Sequence, residues 1–176
     1  MYDIEVRFRH FPLHPDTPDG GMTLEALFAG RNIDIAAAQQ RMSQLMAEEG
    51  LPYGSRTMTF NSRLAQELAV WADTQPSGGQ IHEALFRAYF VDGQNIGDRS
   101  VLLESAEAVG LSVSDAERVL DERSHRQAVD ADWGESRQLG ITGVPTFVAG
   151  QRGVSGCQPY DILEQLVIEA GARKRD

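Results

Sequence analysis

The longest feature of the sequence is a block of helical patterns over residues 23–139, bounded on each side by short segments of β-forming residues. Thr23, Asp34, Asn61 and Asp98 are N-cap residue types, and each precedes apolar residues at helical spacing. The block predicts about five or six helices. A crossover between two parallel strands needs only one helix, so the block is expected to be an all-helical insertion into a small sheet domain.

Two capping boxes add detail to this block. Ser77 with Gln80, and Ser114 with Glu117, have the spacing at which each side chain satisfies a backbone N–H of the same helix start. Each pair predicts the N-terminus of a helix.

Aromatic residues recur at helical spacing within the block. They either line a substrate groove or belong to a core, and the spacing favours the core. The residues are Trp71, Phe86, Tyr89, Phe90 and Trp133.

The flanking segments have β-type patterns. Ile4, Val6 and Phe8 alternate with charged residues, which predicts a half-buried strand. Residues 144–148 are β-formers followed by a glycine-rich reversal, so they predict a hairpin before a final amphipathic helix.

Composition limits the function classes. The chain has 176 residues, 41% hydrophobic content and a formal net charge of −10. This charge disfavours a nucleic-acid partner, because phosphate backbones are repelled. No apolar run approaches the roughly 20 residues that span a bilayer, and the N-terminus has no apolar segment typical of a secretory signal. A single cysteine fits a reducing compartment, so the cytoplasm is expected.

Few residues have the arrangement of a reactive site. Cys157 is the only cysteine, and no Cys-x-x-Cys is present. It lies just before the predicted final helix, where we favour packing as a small hydrophobe over a reactive thiol. His10 and His14 are four residues apart, but the prolines around them argue against the helix that a metal pair would need, so no metal site is predicted.

Four segments carry a family resemblance. They are IEVRFRHFPLHPDTPDGGM, EEGLPYG with NSRLAQELAVWA, HEALFRAYFVDGQNIGDRSVLLESAEAVGL, and LGITGVPTFVAGQRGVSGCQPYDILEQL. From residue 4 to about residue 171 the chain resembles the thioredoxin-fold oxidoreductases of the DsbA type, in particular the FrnE-like subfamily. The resemblance implies an α/β fold, with residues 1–22 and 140–176 forming the thioredoxin-like portion and residues 23–139 the helical insertion.

The resemblance also implies a substrate-facing site. Taken alone, a Val144–Pro145 dipeptide favours a trans bond, because only about 5–6% of X–Pro bonds are cis. In the family the matching proline is cis and the residue before it pairs with the substrate, so Val144, Pro145 and Thr146 are the predicted substrate-binding residues. The expected partner is a protein or small molecule that carries a thiol or disulfide.

The chain departs from the family at its start. In the family a strand and a Cys-x-x-Cys helix precede the strand that matches Ile4–Phe8, so we expect an incomplete sheet without its first strand. No catalytic residue is predicted in this chain, and no dithiol activity is expected from it. Either the two strand edges pair directly, or another molecule donates a strand, for example in a homodimer, or the chain is marginally stable.

Two alternatives stay open. A glutathione-dependent enzyme of the kappa-type transferase and hydroxychromene carboxylate isomerase group shares the implied fold, and it alone would use glutathione as a cofactor. A non-catalytic module that holds an extended peptide beside Val144 is the other alternative.

Overall fold

The structure is a computed structural model that describes residues 1–76 and 78–175. In this part of the chain the strands are β1 (Met22–Thr23), β2 (Met58–Thr59), β3 (Thr146–Ala149) and β4 (Arg152–Ser155). The helices are α1 (Leu24–Leu27), α2 (Ile35–Glu48), α3 (Arg63–Ala72), α4 (Gln80–Phe90), α5 (Arg99–Ala108), α6 (Val113–Glu122), α7 (Arg126–Gln138) and α8 (Tyr160–Glu169). No described helix is both long enough and apolar enough to cross a membrane.

The chain divides into two compact units. The central unit is His14–Val129, and the terminal unit combines Met1–Leu13 with the chain from Asp130 onward. Both units are α/β in content, and the combination of small sheets with many helices agrees with the predicted fold class. The predicted domain limits, 1–22 with 140–176 and 23–139, stay a prediction about which residues form the thioredoxin-like portion.

The core of the central unit lies between α3, α4, α5 and α6. Helix α5 packs against both α4 and α6, and α3 packs against α6. Leu68, Ile81 and Leu102, from three of these helices, are fully buried. The amphipathic patterns read from the sequence therefore meet in one shared apolar core.

Three of the predicted N-caps form the expected hydrogen bonds. Thr23, Asp34 and Asp98 each accept a bond from a backbone N–H in the first turn of the following helix, at 2.9–3.1 Å. Asn61 stands two residues before α3, where its side-chain oxygen accepts from the Arg63 N–H at 2.9 Å. These polar side chains favour the start of each helix at this point, because they accept hydrogen bonds from first-turn N–H groups that have no partner within the helix.

Other expectations for the block need correction. The N-cap of α6 is Ser112, two residues before the predicted cap Ser114, and its hydroxyl accepts from the Asp115 N–H at 3.3 Å. The block is not all-helical either, since β2 pairs antiparallel with β1. The predicted cap Ser77 lies outside the described residues.

The aromatic residues separate into buried and accessible members. Trp71 is buried in the core, as predicted. Phe86 is 61% exposed, so the prediction of a core position is wrong for it. Tyr89 and Phe90 are half-buried. Phe86, Tyr89 and Phe90 all lie on α4, as their spacing predicts. Only part of this aromatic face is directed toward neighbouring helices.

A buried ion network stabilises the central unit. The Glu67 carboxylate is fully buried and accepts from Arg63 Nε at 2.6 Å. Arg123 donates to the same carboxylate through Nε at 2.6 Å and Nη2 at 2.8 Å. Burial acts to raise the pKa of Glu67, but hydrogen bonds from Arg123 and Arg63 outweigh it and hold that pKa below its ordinary value.

The terminal unit contains a hairpin and the last helix. Strand β3 pairs antiparallel with β4, with Thr146 opposite Ser155, and α8 packs against both strands. The N-terminal segment contacts the C-terminal one, because Tyr2 forms an isolated bridge with Lys174 and donates its hydroxyl to Glu164 at 2.9 Å.

The predicted strand at Ile4–Phe8 does not form. No strand is assigned between Asp3 and Pro12, and the exposed fractions of Ile4, Val6 and Phe8 are 45%, 69% and 70%. Within the described residues β3 pairs only with β4, so direct pairing of the two edges, the first of the three alternatives, does not occur. An alternating pattern forms a strand only where a neighbouring ladder accepts its backbone groups, and no described strand pairs with this segment.

Candidate functional site

The predicted substrate-facing segment follows the end of α7. Gly140 has a left-handed conformation with φ +68°. Its N–H donates to the Arg137 carbonyl at 3.1 Å, and the Ile141 N–H donates to the Ser136 carbonyl at 3.0 Å. This helix C-terminus turns the chain away from the helix axis and leads it toward Pro145.

The turn around Pro145 is held by a backbone hydrogen bond to the residue that follows β4. The Val144–Pro145 peptide bond is cis. The Pro145 carbonyl accepts from the Gly156 N–H at 2.8 Å. Both bonded partners belong to the terminal unit, so the turn and the end of β4 hold each other in place.

Thr146 anchors the first residue of β3. Its hydroxyl donates to the Gly143 carbonyl at 2.7 Å and lies 2.9 Å from the Ser155 hydroxyl. Because the single Thr146 hydrogen goes to Gly143, Ser155 is the donor in the second contact. The side chain predicted to bind substrate is therefore engaged in bracing the turn.

Val144 is the accessible residue of the segment. Its exposed fraction is 52%, and neither its N–H nor its C=O forms a hydrogen bond with another described residue. Residues 139–150 contain no charged side chain. The segment can therefore offer one backbone donor and one backbone acceptor to an extended chain, in neutral surroundings.

A shallow cleft adjoins this segment. Its volume is about 300 Å³. Its lining includes Ile141, Thr142, Thr146, Val148 and Ser155, with the charged Arg152 also at the cleft. The first five are small or apolar side chains with three hydroxyl groups, so most of the cleft suits an uncharged side chain.

Cys157 does not pack in a core as the sequence favoured. It is exposed, and it lies after Gly156, which has φ +86°, in the loop that leads to α8. The left-handed turn at Gly156 directs the chain along the surface here. A reactive role for the thiol stays a prediction.

No metal centre is found among residues 1–76 and 78–175. Neither His10 nor His14 belongs to a group of three or more ligand-type side chains in that part of the chain. The His10 backbone N–H instead donates to Asp132 Oδ2 at 3.0 Å.

A family model described as the DSBA-like thioredoxin domain matches residues 1–167. The chain belongs to this family. The match covers the hairpin, Pro145 and nearly all of the helical block, so it agrees with the recognition made from the four sequence segments.

Individual relatives agree with this assignment. The protein YwbO of Bacillus subtilis is 31% identical over 115 residues, which is 63% of this chain and 56% of YwbO. The chain thus matches little more than half the length of that relative. A crystal structure of a probable DsbA oxidoreductase from Streptomyces coelicolor superposes with a TM-score of 0.83 at 29% identity, covering 92% of this chain and 73% of that one.

A second solved structure shares the fold. It is a 2-hydroxychromene-2-carboxylate isomerase with a TM-score of 0.61 and 21% identity, covering 78% of this chain and 64% of that one.

Sequence reasoning missed part of the site. Ser155 and Gly156, which brace Thr146 and Pro145, were not selected as site residues. The hairpin pattern contained the signal, because a two-residue reversal after Ala149 places Ser155 opposite Thr146.

Proposed function

We propose that this chain supplies the substrate-docking side of a DsbA-type thiol–disulfide exchange reaction. Val144, flanked by Pro145 and Thr146, would hold an extended peptide that carries a thiol or disulfide. The observation that carries the proposal is the pair of unbonded backbone groups on exposed Val144, in a chain that belongs to the DSBA-like family. An extended peptide would pair with these groups as an added strand.

Docking can be followed at the Val144 amide. In NMR titrations with an extended peptide containing one reduced cysteine, we expect saturable shifts of the Val144 and Thr146 amide signals. Val144→Pro removes the N–H and keeps an apolar side chain, so it should abolish binding. An unshifted Val144 signal, or equal binding by the variant, would contradict the docking role.

Val113→Pro is the matched control. Val113 is also an exposed valine, at 37%, but it occupies the first position of α6, where proline is tolerated. This variant should bind the peptide as the unmodified chain does. Circular dichroism of both variants checks that each remains folded.

The same proposal holds that residues 1–176 alone do not catalyse dithiol turnover. A single thiol, Cys157, cannot pass through a mixed disulfide and then resolve it internally. Insulin reduction by dithiothreitol should therefore proceed at the rate of the reagent alone. Faster reduction in the presence of the chain would refute this part.

A glutathione-dependent enzyme is the second candidate. The shared fold of the carboxylate isomerase is compatible with it. Gly156 is followed here by Cys157 and Gln158. In the transferase and isomerase group, the resemblance implies an acidic residue and an arginine after the matching glycine, so this segment favours the first candidate. Tight glutathione binding in calorimetry would favour the second candidate.

The finer assignments complete the proposal. We place the chain in the FrnE-like subfamily on the four sequence segments, and in the cytoplasm on its single cysteine. In a homodimer the partner would donate a strand to the incomplete sheet, and sedimentation analysis measures dimer formation directly.

A further inference from the structure

A second site is indicated in the central unit, at Arg56. This residue precedes β2, and its backbone N–H donates to Gln39 Oε1 at 3.2 Å. The guanidinium lies over two rings of α4, with Cζ 4.6 Å from the Tyr89 centroid and 5.2 Å from the Phe90 centroid. Cation–π contact with two aromatic rings restricts the position of the guanidinium.

Polar contacts hold only one side of this guanidinium. Arg56 Nη1 donates to the Tyr89 hydroxyl, which lies 3.0 Å from the hydroxyl of buried Thr59. Because a tyrosine oxygen can accept two hydrogen bonds and donate one, Thr59 can serve as a second donor to it. The Tyr89 hydroxyl thus holds the Nη1 group of the guanidinium.

The opposite edge of Arg56 has no protein partner in the described part of the chain. Its Nε is buried and forms no hydrogen bond, and it is the only buried side-chain nitrogen or oxygen of the described residues in that condition. Nη2, on the same edge, also forms no hydrogen bond with a described residue. A buried donor without an acceptor is costly, so this edge of the guanidinium favours a group that can accept its hydrogen bonds.

The whole chain has a net charge of −10, yet cationic side chains act on a histidine of this unit. Burial, followed by the positive charges of Arg31 and Arg56, lowers the pKa of His14. Neither Arg31 nor Arg56 forms an ion pair with a described carboxylate. By contrast, Arg63 and Arg123 of the same unit share Glu67.

We propose that the Nε–Nη2 edge of Arg56 binds a carboxylate group. A guanidinium edge presents two parallel N–H groups that match the two oxygens of a carboxylate. The Tyr89 hydroxyl holds Nη1, and the Tyr89 and Phe90 rings contact the guanidinium, so these residues restrict its position. Arg56 as a residue is only half-buried, so binding requires a local rearrangement of the side chains that cover Nε. The proposal does not depend on Val144 or on redox chemistry.

The Arg56 Nε–H signal tests the proposal by NMR. Acetate should shift this signal saturably, whereas sodium chloride at the same ionic strength should not. The absence of a saturable acetate shift would overturn the proposal. Inorganic phosphate acting at lower concentrations than acetate would also overturn it, because the site would then select a phosphate and not a carboxylate.

Variants measured by calorimetry separate the fork from simple charge. Arg56→Lys keeps the charge and loses the fork, so acetate affinity should fall about tenfold or more, as for the loss of one charge-assisted hydrogen bond. Tyr89→Phe keeps the ring and should also weaken binding, which gives a second measurement if the lysine variant does not fold. Arg118→Lys changes an exposed arginine of the same unit and should leave affinity unchanged. Equal affinity in all variants would contradict the assignment.

Discussion

The two units of this chain bury their apolar residues very differently. In the central unit, residues from four packed helices form a contiguous core that includes fully buried Leu68 and Leu102. In the described terminal unit Leu166 is the only buried hydrophobic residue, while Ile4, Val6, Phe8, Val144, Phe147, Val148 and others are exposed. The central unit therefore has most of its buried apolar contacts within itself, and the terminal unit leaves many apolar side chains exposed.

The largest expected difference concerns buried charge. Glu67→Gln should destabilise the central unit by about 3–5 kcal/mol, because it leaves two arginines without their shared carboxylate. Glu169→Gln is the matched change in the terminal unit, at an ion pair with exposed Arg152, and should cost about 1 kcal/mol or less. Urea unfolding followed by circular dichroism measures the free energy of unfolding of both variants. Equal losses of this free energy would contradict the inferred difference between the two units.

The pH dependence of the same carboxylate gives an independent measurement. The folded pKa of Glu67 lies below its ordinary value, so the unfolded chain takes up this proton first as the pH falls. The stabilisation is complete above the ordinary carboxyl pKa of about 4.3 and is lost as the pH falls through the lowered value. Glu67→Gln should flatten this acid limb, and an unchanged limb would mean that Glu67 does not titrate as inferred.

Core truncation should have the next largest effect. Leu68→Ala removes a fully buried side chain and should cost about 2–5 kcal/mol. Leu139→Ala makes the same change at a terminal-unit position that is 56% exposed, and its effect should stay within about 0.5 kcal/mol. Similar midpoint shifts for the two variants would show that the terminal unit has a core of its own in solution.

The smallest expected effect concerns the polar contacts of the terminal unit. Arg9 lies 3.0 Å from Glu135 and 3.6 Å from Asp132, and two of these three side chains are about half exposed. Arg9→Ala should cost about 0.2–1 kcal/mol at low salt and nothing measurable at high salt, because exposed charges are screened. A salt-independent loss would indicate that Arg9 is held in a less accessible place.

Local signals were sufficient for most helix boundaries. Thr23, Asp34 and Asp98 were identified as caps because a cap depends on a side chain and on N–H groups within the next turn. The hairpin after Pro145 was predicted for a similar reason, since its strands and its reversal are adjacent in sequence. Both kinds of feature involve partners that the local sequence contains.

Features that need distant partners could not be read from the sequence. The alternation at Ile4–Phe8 predicted a strand, but a strand requires a neighbouring ladder that the pattern does not specify. Arg56 and Tyr89 are 33 residues apart, and Glu67 and Arg123 are 56 apart, so their pairing depends on how the helices pack.

The sequence by itself determined most helix starts, the closing hairpin, the position of Pro145 and the membership suggested by four segments, because each depends on residue identity at fixed spacing. Only the tertiary structure decided which apolar faces are buried, where the backbone of Val144 forms no hydrogen bond with a described residue, and which buried guanidinium nitrogen has no hydrogen-bond partner among the described residues. These depend on distances between residues far apart in the chain, and spacing along the chain does not fix such distances.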